Sequence, residues 1–145
     1  MKSLLISGSR IATAAMLDYA RAAVTNAKER GWCVIVGDAF GVDRVVADEC
    51  RALDVQVFVY GIAENPRNGA LWAGKNMYTW LSGAQNYRQR DEHMVRLANS
   101  VLCIWNGESK GTKHVYDYAK RLKKVAWLAV VDEDGKVGIV PEVQP

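Results

Sequence analysis

Three glycine-containing segments of this 145-residue chain carry residue types that could bind an anion. They are Gly8-Ser9-Arg10, Gly37-Asp38-Ala39-Phe40-Gly41-Val42-Asp43 and Gly107-Glu108-Ser109-Lys110-Gly111-Thr112. Each follows an apolar run and precedes a stretch with helical periodicity, so each would open a helix whose free backbone N–H groups favour an anion. Glycine also lets a phosphate approach the backbone closely. One loop of this kind is more often only a tight turn, but three of them together predict a phosphorylated ligand.

Several side chains in these segments could contact such a ligand. Arg10 has a fork-shaped cation that can bind two phosphate oxygens at once. Asp43 could bind a ribose hydroxyl or complement the dipole of its own helix. Ser109 and Thr112 could bind phosphate, cap a helix, or do both. The candidate ligand-binding residues in the three segments are Gly8, Ser9, Arg10, Gly37, Asp38, Gly41, Asp43, Gly107, Ser109, Gly111 and Thr112.

The elements that would position these loops alternate regularly along the chain. Apolar runs predict strands over 2–7, 32–36, 55–60, 100–105 and 125–131, with a small final strand over 137–140. Helical spacing predicts helices over 11–30, 42–53, 87–99 and 112–124. Strands that are apolar throughout indicate a parallel sheet covered on both faces. We therefore predict an α/β fold, a single Rossmann-like doubly wound three-layer sandwich spanning residues 1–145, with strand order 3-2-1-4-5.

In such a sheet the ligand crevice lies beyond the carboxyl ends of the strands, where the strand order reverses. All three glycine segments are predicted to lie at that edge. Neither a Walker motif nor the GxGxxG fingerprint occurs, which disfavours ATP hydrolysis and ordinary NAD-dependent redox chemistry. Residues 61–86 show no sustained periodicity, and we predict that they form a lid-like segment. Within it, Tyr78 and Trp80 are candidates for stacking on a base, or for anchoring the loop to the core.

The motifs of the chain also resemble a known family. Ile6-Ser7-Gly8-Ser9-Arg10, residues 36–44, Arg90-Asp91-Glu92-His93-Met94 and residues 105–112 follow the order GxR, GxAxGxD, R[ND]xxM and GT. In this order they resemble the SLOG superfamily, and within it the YspA-like branch, over about residues 4–131. The resemblance implies a Rossmann-like fold that binds a nucleotide or a nucleotide-derived molecule. It also implies that Arg90 and Asp91 point toward the crevice.

The resemblance leaves three functions open. The first is a sensor or processing module that binds a nucleotide-derived ligand. The second is an N-glycosidase, phosphoribohydrolase or deoxyribosyltransferase in which Asp91 or Asp43 stabilises an oxocarbenium-like ribose, although the catalytic glutamate of LOG enzymes is replaced here by Val115. The third is single-stranded DNA binding, as in the related DprA proteins. The net charge of +3 and the lack of a long basic stripe interleaved with aromatics disfavour the third.

The amino-acid composition excludes several other classes of protein. Half of the residues are apolar and 24% are charged, which excludes a disordered or fibrous chain. The longest apolar run, 125–131, is far shorter than the roughly 20 residues of a membrane span, so we expect a cytoplasmic protein without a membrane partner. Three dispersed cysteines and two histidines predict buried thiols and no metal or other cofactor. Apolar helix faces and the related folds suggest a homo-oligomer.

Overall fold

The computed structural model describes residues 1–69 and 76–140, which form four helices and seven strands. The strands are β1 (Ser3–Gly8), β2 (Cys33–Gly37), β3 (Val57–Gly61), β4 (Asn76–Trp80), β5 (Ser100–Trp105), β6 (Val125–Val131) and β7 (Val137–Val140). The helices are α1 (Ala14–Glu29), α2 (Val42–Ala52), α3 (Tyr87–Leu97) and α4 (Lys110–Arg121). Among the described residues, no helix has the length and apolar character needed to cross a bilayer.

All seven strands belong to one sheet of order β4-β3-β2-β1-β5-β6-β7. The first six run parallel, and β7 pairs antiparallel with β6. The predicted order 3-2-1-4-5 corresponds to β3-β2-β1-β5-β6 and is confirmed, as is the Rossmann-like α/β fold. Because β1 lies at the centre, the chain reverses direction across the sheet there, and the segments that follow β2, β1 and β5 emerge side by side.

Both faces of the sheet are covered, which explains why the central strands are apolar at nearly every position. One core contains the inner faces of α1 and α2, packed against residues such as Ile6, Val36 and Ile104. The other contains the inner faces of α3 and α4, packed against Leu5, Val101 and similar residues. The two pairs of helices therefore present their N-termini at the carboxyl edge of the sheet, on opposite sides of it.

Strand β4 is the main departure from the predicted elements. It pairs with β3 alone, at the edge of the sheet, and its residues Met77 and Trp80 are about half exposed. An edge strand of mixed polarity gives no continuous apolar run, so the sequence pattern that reveals the central strands does not reveal this one. The lid-like role of residues 61–86 stays a prediction, and residues 70–75, including Trp72, lie outside the described residues.

Helix boundaries differ from the predicted ones where capping side chains set them. Thr13 accepts a hydrogen bond from the Met16 amide, so α1 begins after it rather than at residue 11. Ser109 accepts one from Thr112, so α4 begins two residues earlier than the apolar pattern indicates. Helix α2 has no such side-chain cap and begins at Val42, directly after Gly41, as predicted. Capping therefore fixes where α4 meets the sheet edge.

Candidate functional site

The three glycine segments meet at the carboxyl edge of the sheet, and Ser9 holds them together. Its backbone N–H donates to the carbonyl of Ile104 at 3.2 Å, and its own carbonyl accepts from Val42 at 3.2 Å. Its hydroxyl accepts a hydrogen bond from the Asn106 amide at 3.1 Å. The loop after β1 is thus joined to α2 on one side and to the end of β5 on the other. Ser9 is buried and acts as an internal brace of the site.

Gly8 and Gly41 allow these loops to approach each other. A Cβ on Gly8 would overlap the side chain of Val42, the first residue of α2. Gly41 has a φ of +72°, and a Cβ there would overlap the backbone carbonyls of Ser9 and Arg10. Both glycines are therefore explained by packing within the protein. They position the site, and nothing in their surroundings requires a ligand.

A buried group of charged residues lies beside these loops, and we call it the Arg90 cluster: Arg90, Asp38, Asp43, Asp91 and Arg67. The Arg90 guanidinium donates to Asp91 Oδ1 and to Asp38 Oδ1, each at 2.8 Å, and to the carbonyl of Tyr60 at 3.2 Å. Gly37 makes room for it, because a Cβ would lie 2.7 Å from both Arg90 Nη1 and Asp43 Oδ2. The predicted residues Gly37, Asp38, Asp43, Arg90 and Asp91 are thus brought together.

Asp38 is fully buried and is held from two directions. Besides Arg90, it accepts hydrogen bonds from the Arg67 backbone amide at 2.9 Å and from Arg67 Nε at 3.1 Å. The Arg67 guanidinium carbon lies 3.5 Å from the centre of the Tyr87 ring, at the start of α3. With every oxygen of Asp38 engaged, this carboxylate organises the cluster and is not available to a ligand.

Asp43 behaves differently, because burial raises its pKa to about 7 despite the nearby Arg90 cation. Burial likewise raises the pKa of Asp91, and Arg90 opposes that rise. Three carboxylates face two guanidinium groups in the cluster, so one proton near neutral pH makes it electrically neutral. Asp43 is the group in the cluster best placed to hold that proton.

Some polar atoms of the cluster still face solvent. Every fully buried side-chain nitrogen or oxygen of the described residues has a hydrogen-bond partner. Asp43 Oδ2 accepts from the Ala39 amide at 3.2 Å, but Asp43 Oδ1, Asp91 Oδ2 and Arg90 Nη2 have no partner within residues 1–69 and 76–140. These three atoms must therefore reach the surface. Two carboxylate oxygens and one guanidinium nitrogen of the cluster are therefore without a protein partner among the described residues.

The loop between β5 and α4 is folded in advance by its own side chains. Asn106 Oδ1 accepts hydrogen bonds from the amides of Glu108 and Ser109, both at 2.9 Å. Trp105 Nε1 donates to the Ser109 carbonyl at 2.9 Å, and Gly107 takes a φ of +87°. The buried Thr112 and the capping Ser109 contact each other through their hydroxyl groups. The predicted residues Gly107, Ser109 and Thr112 thus shape the N-terminus of α4.

Gly111 and Arg10 have no such structural explanation. Gly111 lies in the first turn of α4 without a positive φ, and nothing lies within 4 Å of its potential Cβ. The backbone amides of Lys110 and Gly111 have no hydrogen-bond acceptor among the described residues. Arg10 is exposed, and no described residue forms a hydrogen bond or ion pair with its guanidinium. Free backbone donors and a glycine without a neighbour at its Cβ are the features by which a helix N-terminus can accept an anion.

Tyr78 and Trp80 end a strand at the same edge but face other partners. The Tyr78 hydroxyl donates to the Ala63 carbonyl at 2.5 Å and lies against Gly61. Trp80 Nε1 donates to the Ile62 carbonyl at 3.1 Å. The Trp80 ring lines a cleft of about 590 Å³ beside α3, whose other walls include Gln89 and His93. A stacking role for either ring stays a prediction.

Three residues that the sequence did not single out lie at the site. Arg67 stacks on Tyr87 as described above, and Ile11 and Phe40 are exposed apolar side chains next to Arg10 and Gly41. A large apolar residue inside a glycine loop was a usable signal for Phe40, because such loops are normally polar or small. No group of three potential metal-ligating side chains occurs among the described residues. The three cysteines are free and buried.

Comparisons with known proteins identify the fold. No family model matches the chain, and no curated protein matches it. Among solved structures, DNA processing protein A from Helicobacter pylori has a TM-score of 0.69 at 17% identity, covering 91% of this chain and 66% of its own. The molybdenum cofactor binding protein from Rippkaea orientalis has a TM-score of 0.73 at 17% identity, and the match covers 92% of this chain and 79% of that protein. The Moco carrier protein from Chlamydomonas reinhardtii has a TM-score of 0.69 at 14% identity, with the same coverage of both chains. The chain spans just under two thirds of the Helicobacter pylori protein.

Proposed function

We propose that this chain, which has a SLOG-type fold, binds a phosphorylated, nucleotide-derived ligand at the carboxyl edge of its sheet. The observation that carries the proposal is Gly111. Glycine within a helix costs about 0.5–1 kcal/mol relative to alanine, and neither backbone geometry nor packing explains it here. A phosphate placed over the first turn of α4 would need the space that a side chain would fill. Arg10 is an exposed cation at the same edge and would neutralise it.

The other groups of the site have matching roles in this proposal. The amides of Lys110 and Gly111 would donate to the phosphate oxygens. The two carboxylate oxygens that reach the surface, on Asp43 and Asp91, would accept hydrogen bonds from sugar hydroxyls. Gly8, Gly37 and Gly41 would act indirectly, by letting the loops pack. The structural neighbours support ligand binding in general, because one is described as binding single-stranded DNA and another as binding the molybdenum cofactor.

The test is a ligand titration of the full chain. Thermal shift and calorimetry with a panel of nucleotides, ADP-ribose and cyclic dinucleotides should give stabilisation by at least one of them, since a ligand that binds only the native state raises stability. Arg10→Ala should weaken that binding about 10- to 100-fold, the loss expected for one charge-assisted hydrogen-bond pair. Arg30→Ala, which removes another exposed arginine at the far end of α1, should leave it unchanged.

Two outcomes would overturn the proposal. If no compound of the panel stabilises or binds the protein, a nucleotide ligand is excluded. A short single-stranded oligonucleotide belongs in the panel, and if it bound more tightly than every mononucleotide, with strong salt dependence, DNA binding would replace the proposal.

An N-glycosidic hydrolase is the second candidate, and the protonation of Asp43 favours it. A carboxyl group with a pKa of about 7 can act as a general acid at neutral pH. It would protonate the departing base as the C1′–N bond breaks, and water would add to C1′ and release its proton to Asp91. The LOG-type carboxylate is replaced by Val115, which is fully buried in the core and takes no part.

Product analysis separates the two candidates. Mass spectrometry of each incubated mixture should show a free base and a sugar phosphate if the protein hydrolyses the ligand. In that case Asp43→Asn and Asp91→Asn should abolish release while binding persists. An intact ligand after prolonged incubation near pH 7 would make the chain a binding or sensing module.

A further inference from the structure

The guanidinium group of Arg67 is built into the rim of the site and belongs to a partly exposed side chain. Tyr87 covers one face of the Arg67 guanidinium at 3.5 Å, and Asp38 holds its Nε edge at 3.1 Å. The two terminal nitrogens of Arg67 have no hydrogen-bond acceptor in the described part of the chain, and 26% of the side chain is exposed. The covered face and the bonded edge leave the opposite face and the terminal nitrogens for a ligand.

The plane is rigid because its backbone is fixed to the loop after β2. The Arg67 amide donates to Asp38, and Asn68, which is buried, donates through Nδ2 to the Ala39 carbonyl at 2.8 Å. Arg44 of α2 donates to the Asn68 carbonyl. Three independent attachments therefore hold the orientation of Arg67 before any ligand arrives, which lowers the entropic cost of binding to it.

We propose that the outer face of Arg67, backed by Tyr87, is the platform on which the nucleobase of the ligand stacks. A guanidinium plane stacks on flat π systems, and its charge attracts their electron-rich faces. Nucleobases have such faces, whereas sugar phosphates do not. The platform therefore selects nucleotides over base-free sugar phosphates, and this selection rests on the phosphate site proposed above.

The spacing within the fold agrees with this arrangement. Asp38, which holds Arg67, directly follows β2, and α4 follows β5, with β1 lying between these two strands. Adjacent strands lie about 4.8 Å apart, so the ends of β2 and β5 are separated by about 10 Å. A nucleoside monophosphate with its phosphate at α4 can reach across that interval with its base. The sugar would then lie above Gly8 and beside the free oxygen of Asp43.

The experiment compares AMP with ribose 5-phosphate, which share the phosphate and the sugar but differ in the base. Calorimetry on the wild-type chain should show AMP binding about ten-fold more tightly, the effect of one stacked base on a cation. Arg67→Met should reduce that ratio to about one and leave the ribose 5-phosphate affinity unchanged. Arg67→Lys should behave like the methionine variant, because lysine keeps the charge but has no plane.

A matched control is available on α4. Arg121 also lies over a tyrosine, Tyr118, at 5.3 Å, but at the opposite end of the helix from the site. Arg121→Met removes the same kind of pair and should leave both affinities unchanged. Unfolding midpoints of all variants check the fold, which should persist because Asp38 keeps Arg90 and the Arg67 amide as donors.

The outcomes distinguish this platform from the phosphate site. If wild type binds both compounds equally, or if Arg67→Met keeps the preference for AMP, the platform is wrong while the phosphate site stands. If neither compound binds and the wider nucleotide panel is also silent, the phosphate site fails and the platform fails with it. A ratio that falls to one only in the Arg67 variants establishes the platform.

Discussion

Replacing Asp43 with asparagine should change how stability depends on pH. Burial raises the pKa of Asp43 in the folded chain from the ordinary 3.8 to about 7. Between these two values the folded chain holds a proton that the unfolded chain has released, so the wild type loses stability as pH rises. The loss is about 1.4 kcal/mol per pH unit and sums to about 4 kcal/mol above pH 7. Asparagine does not titrate and keeps an oxygen to accept the Ala39 amide.

The assay is urea unfolding of wild type and Asp43→Asn at pH 5, 6, 7 and 8. We expect the free energies of unfolding of the two proteins to be closest at pH 5. The difference should then grow in favour of the variant by about 1.4 kcal/mol per pH unit and become constant above pH 7. Taking the difference cancels the other titrating groups, such as Glu92 and His93, whose pKa values are lowered.

A control lies on the same helix. Asp48 is half exposed and pairs with Arg44, so Asp48→Asn should show a gap that stays within about 0.5 kcal/mol at every pH. A constant gap for Asp43→Asn would refute the claim that Asp43 is protonated near neutral pH. A gap that grew in favour of the wild type as pH rises would show that the ion pair with Arg90 outweighs burial.

Two further predictions concern the loops. Gly111→Ala should stabilise the folded chain by about 0.5 kcal/mol, since no atom lies near the new Cβ, and should weaken nucleotide binding at least several-fold. Thermal unfolding measures the first effect and calorimetry on the same samples measures the second. Tighter binding by the variant would contradict the proposed phosphate position. Ser9→Ala should cost about 1–3 kcal/mol in urea unfolding, because it leaves the Asn106 amide without its acceptor, and an unchanged midpoint would remove Ser9 as the brace.

Much of the fold was predictable because the signals are local. Each central strand is an apolar run, and the order β3-β2-β1-β5-β6 is the common order of Rossmann-like sheets. Strand β4 was not predictable from pattern, because an edge strand depends on pairing with β3 rather than on its own apolarity.

The position of the candidate residues in the fold was more predictable than their contacts. The glycine loops placed it at the carboxyl edge, and the family motif added Arg90 and Asp91. The bond between Arg67 and Asp38 joins residues 29 positions apart, and no spacing rule connects them. Such contacts depend on tertiary structure and not on local sequence.

The glycines of the site fall into two functional groups, and this division determines where a ligand should be sought. At Gly8, Gly37 and Gly41, neighbouring protein atoms occupy the space that a Cβ would need, so substitutions there act first on folding. Gly111 faces open space, so we predict that substitution there acts first on binding. A buried ion cluster is weak support for stability, since desolvation offsets much of its attraction. The desolvation of the Arg90 cluster and the glycine at the start of α4 are therefore two energetic costs at this edge that folding alone does not explain. A ligand that contacts both places would explain each of them.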